Sequence, residues 1–252
     1  MDLTADGLLV SLTSTSRRIG TIEPVIRSLL AQDRPAPVIL WLSTDPYLLD
    51  EGVPAASVPS ALRRLEGPRF AIRYTPNIGP HRKLLPARRI HRGTIVTADD
   101  DTLYPTDWLR RLLMLAERHP GVVCALRAHR MARAADGSLL PYLRWPRWDG
   151  DAPHRDCFPT GKDGVLYPPG ALDPRVDDVE ALTRLAPSND DIWFKAAALA
   201  AGTLAVAPAD HEALPTTGVG AGLSGLFLRR NLLGNDAMLR RTFAHFGLGN
   251  GS

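Results

Sequence analysis

Three adjacent carboxylates, Asp99, Asp100 and Asp101, end the apolar, β-branched run Thr94-Ile95-Val96-Thr97-Ala98. Like charges repel, so such a cluster needs either a bound divalent cation or full solvation in a loop. A strand tip supplies the first, because ligands of open α/β sheets sit beyond the carboxyl ends of strands. An acidic turn supplies the second. A hard cation such as Mn²⁺ or Mg²⁺ takes oxygen ligands and keeps positions open for phosphate oxygens. A second acidic pair, Asp190-Asp191, opens an amphipathic stretch. It reads as helix capping by Asn189 or Asp190, with Asp191 favoured by the helix dipole. It reads equally as a general base that takes the proton of an acceptor hydroxyl.

Basic and aromatic residues extend the set. Arg17 and Arg18 follow a first apolar strand and could flank a nucleotide, and Arg82-Lys83 precede the acidic strand and could meet a phosphate. Each could equally be a solvated surface charge. His211, in Ala209-Asp210-His211-Glu212, is a further candidate metal ligand through a neutral imidazole, or a plain loop residue. The run from Gly161 to Gly170 is punctuated by glycine and proline but lacks the Gly-Lys-Ser/Thr of a P-loop. Its glycines, Gly164 among them, allow close approach of backbone to a sugar, and Tyr167 or Trp145 could stack on one; a structural turn with a buried Tyr is the alternative.

The elements that must position these groups follow from hydrophobic period. Runs at 8–13, 38–43, 70–74 and 94–98 predict buried strands, with a further strand at 122–126. Ile19, Ile22, Val25, Ile26, Leu29 and Leu30 recur at helical spacing, with Thr21 and Glu23 in the first turn. Short helices are expected around 58–66 and 82–91, and an amphipathic one over 107–118. Strand–helix–strand order predicts a parallel α/β sheet with right-handed crossovers. The proline- and aromatic-rich segment 136–175 reads as loops and short strands that line a cleft. A helix over 190–202, a strand over 203–207, a mobile glycine-rich segment over 214–225 and a last helix over 235–246 complete the reading.

Composition excludes several classes. The chain has 252 residues and a formal charge of +3, too small for a nucleic-acid-binding polyelectrolyte. Cys124 and Cys157 are the only cysteines, which suits a reducing compartment. No apolar run reaches the ~18–20 residues of a membrane span. The first residues lack the basic start of a secretory signal. A cytoplasmic protein is expected. Peripheral contact with the inner face of a membrane stays open through 223–246, where Leu226, Phe227, Leu232, Leu233, Met238, Leu239, Phe243 and Phe246 lie among Arg229, Arg230, Arg240 and Arg241. A helix packed on the core is the alternative.

Taken in order, these pieces resemble a GT-A-fold glycosyltransferase of the broad family-2-like kind. Val10-Ser11-Leu12-Thr13 with Arg17-Arg18 resembles its first-strand nucleotide-binding segment. Asp99-Asp100-Asp101 resembles its Asp-x-Asp motif, and Asp190-Asp191 its Glu-Asp motif with Asp in place of Glu. Ala98 to Asp101 with Tyr104-Pro105, Gly164 to Pro169, and Asp190 to Phe194 resemble stretches of one bacterial branch. The resemblance covers about 8–206. It implies one domain of 1–252, a Rossmann-like three-layer α/β/α sandwich around a mainly parallel mixed sheet. About 8–126 would hold the nucleotide-sugar and about 127–252 the acceptor.

It implies a divalent-metal-dependent transfer from a nucleotide-diphospho-sugar, UDP-sugar first, to a hydroxyl of a glycan or lipid-linked glycan. The configuration would invert. Asp191 would be the base, with Asp190 its rival. Thr13, Arg17, Arg18, Lys83, Asp99 and Asp100 would bind the nucleotide-sugar. Asp101, with Asp99 and His211, would hold Mn²⁺ or Mg²⁺, and Tyr167, Trp145 and Gly164 would bind the acceptor. The Gln/Arg-x-x-Arg-Trp motif of processive members has no counterpart here. A catalytically silent domain of this fold, binding nucleotide or glycan, is the alternative.

Overall fold

The computed structural model describes residues 7–216 and 234–249. Four runs form parallel neighbours, buried except at the edge strand β3: β1 (Leu8–Thr13), β2 (Val38–Leu42), β3 (Phe70–Tyr74) and β4 (Thr94–Ala98). Val10 lies opposite Val38 on one side and Val96 on the other. Parallel pairing requires crossovers. They are α1 (Glu23–Leu30), the single-turn α2 (Ser60–Arg63), and a 3₁₀ turn (Gly79–Lys83) running into α3 (Leu85–Ile90). After β4 come α4 (Trp108–Arg118) and β5 (Val123–Ala125).

The second half adds β6 (Ala128–Arg130), β7 (Cys157–Pro159), β8 (Val165–Tyr167), α5 (Val179–Leu185), α6 (Asp190–Ala200), β9 (Ala205–Val206) and α7 (Asn235–His245). The main sheet has the order β3-β2-β1-β4-β8-β5-β9, and β6 and β7 pair separately. Only β8 runs against its neighbours, β4 and β5. Side chains alternate between two cores. Leu9, Ile39 and Ile95 face Leu85, Ile192 and Phe194; Val10, Leu40 and Val96 face Ile22, Ile26, Trp108 and Leu112. This is the expected three-layer sandwich with a mainly parallel mixed sheet.

Several boundaries differ from expectation. Helix α1 starts at Glu23, where Pro24 sets the first turn, and Ile19 and Ile22 are buried in the turn before it. Residues 165–167 are not cleft loop but a strand in the middle of the sheet. Helix α5 was not expected, although the Asp178 side chain accepts from Ala181 N at 2.9 Å, a standard N-cap. In α7, Met238, Leu239 and Phe243, with Phe246 just after it, are buried in the core, so these apolar side chains are not offered to lipid. Leu226, Phe227, Arg229, Arg230, Leu232, Leu233 and most of the glycine-rich 214–225 segment lie outside the described residues. No described helix is long and apolar enough to cross a membrane.

Candidate functional site

Because β1, β2 and β4 are parallel, their carboxyl ends open on one edge of the sheet. Because β8 is antiparallel to β4, its leading segment, Gly161 to Gly164, returns to that same edge. The ends enclose a cleft of about 850 Å³, within the usual range for a small-ligand site. Thr13, Arg17, Arg18, Lys83, Asp99, Asp100, Asp101, Trp145, Asp190 and Asp191 all line it.

Each carboxylate of the acidic strand tip meets a cation, though two cations serve all three. Asp100 accepts from Ser14 Oγ at 2.6 Å and from Arg18 at 2.7 Å. Arg18 also reaches Asp101 at 2.9 Å. Burial works against the Arg18 charge, but Asp100 and Asp101 outweigh it and raise its pKa. Asp101 is itself pushed above the ordinary carboxylate value by burial and by the Asp99 charge, which Arg18 and Lys162 only partly offset. Residual negative charge on two cleft-facing carboxylates suits a hard divalent cation. Such a cation in a nucleotide site uses one or two carboxylates and completes its shell with phosphate oxygens and water. Among the described residues no group of three His, Cys, Asp or Glu side chains could hold a metal alone. Asp99 and Asp101 alone are too few for a closed protein cage.

Lys83 joins the two acidic sites. Its Nζ lies 2.9 Å from Asp99 Oδ1 and 2.9 Å from Asp190 Oδ2. Burial disfavours the ammonium, but Asp190, Asp99 and Asp191 hold its pKa well above normal, so Lys83 is charged. Gly161 is packed against this junction: a Cβ there would fall within 3.1 Å of Asp191 Oδ1 and still closer to Lys83 Nζ. Asn189 caps α6, its side chain accepting from Ile192 N at 3.2 Å. Asp190 and Asp191 are thus the first residues of the helix, and both line the cleft. Asp191 accepts from Gly161 N at 2.9 Å. Burial and the neighbouring Asp190 charge push its pKa well above the carboxylate range, against the pull of Lys83. A carboxylate with raised proton affinity, open to a cleft, is equipped to accept a proton.

Three expected site residues lie elsewhere. His211 does not line the cleft. Its Nε2 faces Asp163 Oδ2 at 3.1 Å and its Nδ1 faces Arg111 at 3.2 Å, so both ring nitrogens are occupied. Tyr167 sits on β8 with its ring in the core against Phe194. Gly164 faces Trp108, not a sugar: its φ is +98° and a Cβ would sit 2.6 Å from the indole. Thr13 lines the cleft while its Oγ1 donates to Trp41 O at 2.9 Å.

Other residues were missed. Asp50, in a stretch that reads as loop, is a buried hub. It accepts from Ser16 N at 2.9 Å, Gly52 N at 3.1 Å, Asn77 at 3.0 Å and Arg82 at 2.8 Å. Arg82 is consequently a buried brace that also donates to Ser14 O at 3.1 Å. Arg127, His129, Tyr142 and Thr160 line the cleft too. No spacing signal marked them, since they come from short strands and turns.

With this geometry in view, solved structures give the nearest context. S. aureus TarS, residues 1–349, is similar over 95% of this chain and 71% of that one, at 14% identity and a TM-score of 0.51. The chain has a GT-A-like fold. At that identity the likeness shows the fold and not the activity. S. aureus TarS 1–349 in complex with UDP-GlcNAc matches over 83% of this chain and 57% of that one, at 13% identity and a TM-score of 0.46. A 4-diphosphocytidyl-2C-methyl-D-erythritol synthase matches over 86% and 96%, at 12% identity and a TM-score of 0.47. Those two scores are too low to argue from. No protein-family profile and no curated protein matches the sequence.

Proposed function

We propose that this GT-A-like chain is a glycosyltransferase that moves one sugar from a nucleotide-diphospho-sugar to an acceptor hydroxyl. The observation that carries the reading is Lys83, ion-paired at once to Asp99 of the strand tip and Asp190 of the helix start. It brings the candidate diphosphate site and the candidate base into one cleft. Asp191 takes the acceptor proton, and Gly161 N–H holds that carboxylate in place. Lys83 neutralises charge on the leaving diphosphate, and Arg18 fixes the acidic tip. Asp99 and Asp101 would hold Mn²⁺ or Mg²⁺, which when bound adds charge stabilisation on the departing diphosphate. The inverting course and a UDP-sugar as first donor rest on the sequence resemblance alone.

Calorimetry of UDP, GDP and dTDP, each with and without Mn²⁺, tests this. Metal-dependent binding of one nucleotide is expected, with the metal dependence lost in Asp101→Ala. A folded protein that binds none of the three would overturn the reading. The pairing of Asp99, Asp100, Asp101 and Asp190 with cations favours one alternative, a domain that binds nucleotide or glycan without turnover. Tight nucleotide binding with no release of sugar from any nucleotide-sugar would select it.

A further inference from the structure

We propose that the Arg127 side of the cleft is a subsite for an anionic acceptor sugar, with Arg127 pairing the anion and Tyr142, backed by the buried Trp145, carrying the ring. The proposal rests on the glycosyltransferase reading of the same cleft and specifies its acceptor.

Arg127 is tied to the candidate base through one short segment. Its carbonyl accepts from Thr160 N at 3.1 Å, and the next residue, Gly161, donates from N to Asp191 at 2.9 Å. The guanidinium lines the cleft and is half-buried, yet among the described residues its side chain has no hydrogen bond or ion pair. Lys162 and the exposed Arg17 line the cleft in the same way, whereas three other cations of the wall are paired. Arg18 is held by Asp100 and Asp101, Arg82 by Asp50, and Lys83 by Asp99 and Asp190. A half-buried guanidinium without a counter-ion keeps its donors on water, and a ligand anion displaces only that water. A guanidinium also offers the planar fork that carboxylate and phosphate accept in pairs.

The surroundings match a sugar. His129 lines the same side and is kept neutral by burial and by the charges of Arg127 and Arg147. Tyr142 and Trp145 stand with ring centroids 4.9 Å apart. Phe158 braces both, at 5.7 and 5.2 Å. The Trp145 indole donates to Leu140 O at 2.9 Å, and Tyr142 N donates to Asp236 at 2.7 Å. Leu143, 59% exposed, extends this wall at the cleft. A rigid aromatic wall beside one unpaired arginine binds an apolar sugar face and orients a charge on its rim. The Tyr142 phenol feels the charges of both Arg127 and Asp191, so a sugar on that ring can set an anion toward one and a hydroxyl toward the other.

The anion could be a carboxylate, as in a uronic acid, or a phosphate ester. The test uses the full chain saturated with UDP and Mn²⁺, so that the donor side is filled. Methyl glucuronide, glucose 6-phosphate and neutral methyl glucoside are titrated by calorimetry or saturation-transfer NMR. At least one anionic sugar is expected to bind about tenfold or more tighter than the neutral one, the scale of one charge-assisted hydrogen-bonded pair. Arg127→Gln is expected to remove that preference, Arg127→Lys to keep part of it, and both to bind UDP as the wild type does. Preference for the glucuronide names a carboxylate, and preference for the phosphate names a phosphate ester. Equal binding of charged and neutral sugars, no binding of any, or a preference that survives Arg127→Gln would overturn the proposal. If UDP itself fails to bind, the donor reading falls. The same three titrations without nucleotide then decide the Arg127 subsite on their own.

Discussion

On the side of the cleft built by residues 13–101, Asp50 meets Arg82, Asp100 and Asp101 meet Arg18, and Asp99 meets Lys83. On the side built by residues 127–161, Arg127 lines the space with no carboxylate paired to it among the described residues, next to Tyr142 and Trp145. The first side is a lattice of ion pairs on parallel strand ends. The second is an apolar wall with one open cation, carried on short strands and turns. The difference teaches where ligand charge is to be met. A diphosphate on the first side must exchange with existing pairs, which a divalent cation makes feasible, whereas an anion on the second side displaces only water. Asp190 and Asp191 stand at the seam, joined to the first side through Lys83 and to the second through Gly161.

The largest effect is expected at the seam. Asp191→Asn should leave UDP affinity unchanged and cut sugar transfer by roughly two to four orders of magnitude, the scale of a general base. Wild-type transfer should rise with pH through a range displaced above that of ordinary carboxylates, because burial and Asp190 raise the Asp191 pKa and only the ionised form accepts a proton. Transfer at the wild-type rate in Asp191→Asn, measured by nucleotide release, would move the base to Asp190 or beyond.

Next comes the lattice itself. Asp50→Ala strands the Arg82 guanidinium, whose side chain is 1% exposed. Removing one partner of a buried pair costs about 3–5 kcal/mol, so urea unfolding should show a loss of that size. The mutation also frees Ser16 N and Asn77, so the loop carrying Arg17 and Arg18 loses its anchor and nucleotide affinity should fall as well. Stability within about 0.5 kcal/mol of wild type would mean that the first side relaxes like an ordinary surface. Gly161→Ala ranks third. Its new Cβ would lie 2.4 Å from Lys83 Nζ, so the flexible ammonium must swing away from Asp99 or Asp190. Overpacking of this kind costs about 1–3 kcal/mol. It should appear as lost transfer more than lost UDP binding, since it loosens the seam and leaves Arg18 in place.

The two sides also differ in how legible they were. The first side is built from β1, β2, β3 and β4, whose apolar runs stand out in the sequence because both faces of a parallel sheet are buried. The acidic tip and Asp190-Asp191 were legible because like charges stand together at element ends. Asp50 was not: a single carboxylate in a Pro- and Ala-rich stretch gains its role only when the chain brings Arg82 to it, 32 residues away in sequence. The second side rests on β6, β7 and β8, each three residues long, too short for any period to register. Tyr167 and Gly164 invite a sugar-binding reading because aromatic and glycine residues stand together in a loop-like stretch. An antiparallel strand at the centre of the sheet turns one into the core and sets the other against Trp108. His211 reads as a candidate ligand for a similar reason, since the partner that occupies it, Asp163, is 48 residues distant.

The smallest expected effect is at Arg17, the cation on the first side that matches Arg127 in having no side-chain partner among the described residues. The two differ in solvation, because Arg17 is exposed and Arg127 is half-buried. An exposed charge interacts with a phosphate through water and salt, so Arg17→Ala should weaken UDP by no more than the ~0.2–1 kcal/mol of a surface pair. That deficit should disappear at high ionic strength, where the Debye length falls to about 3 Å. A salt-resistant loss of more than about tenfold would instead place Arg17 in direct, desolvated contact with the diphosphate. The first side would then have an open cation of its own, and the contrast between a paired wall and an open one would no longer hold.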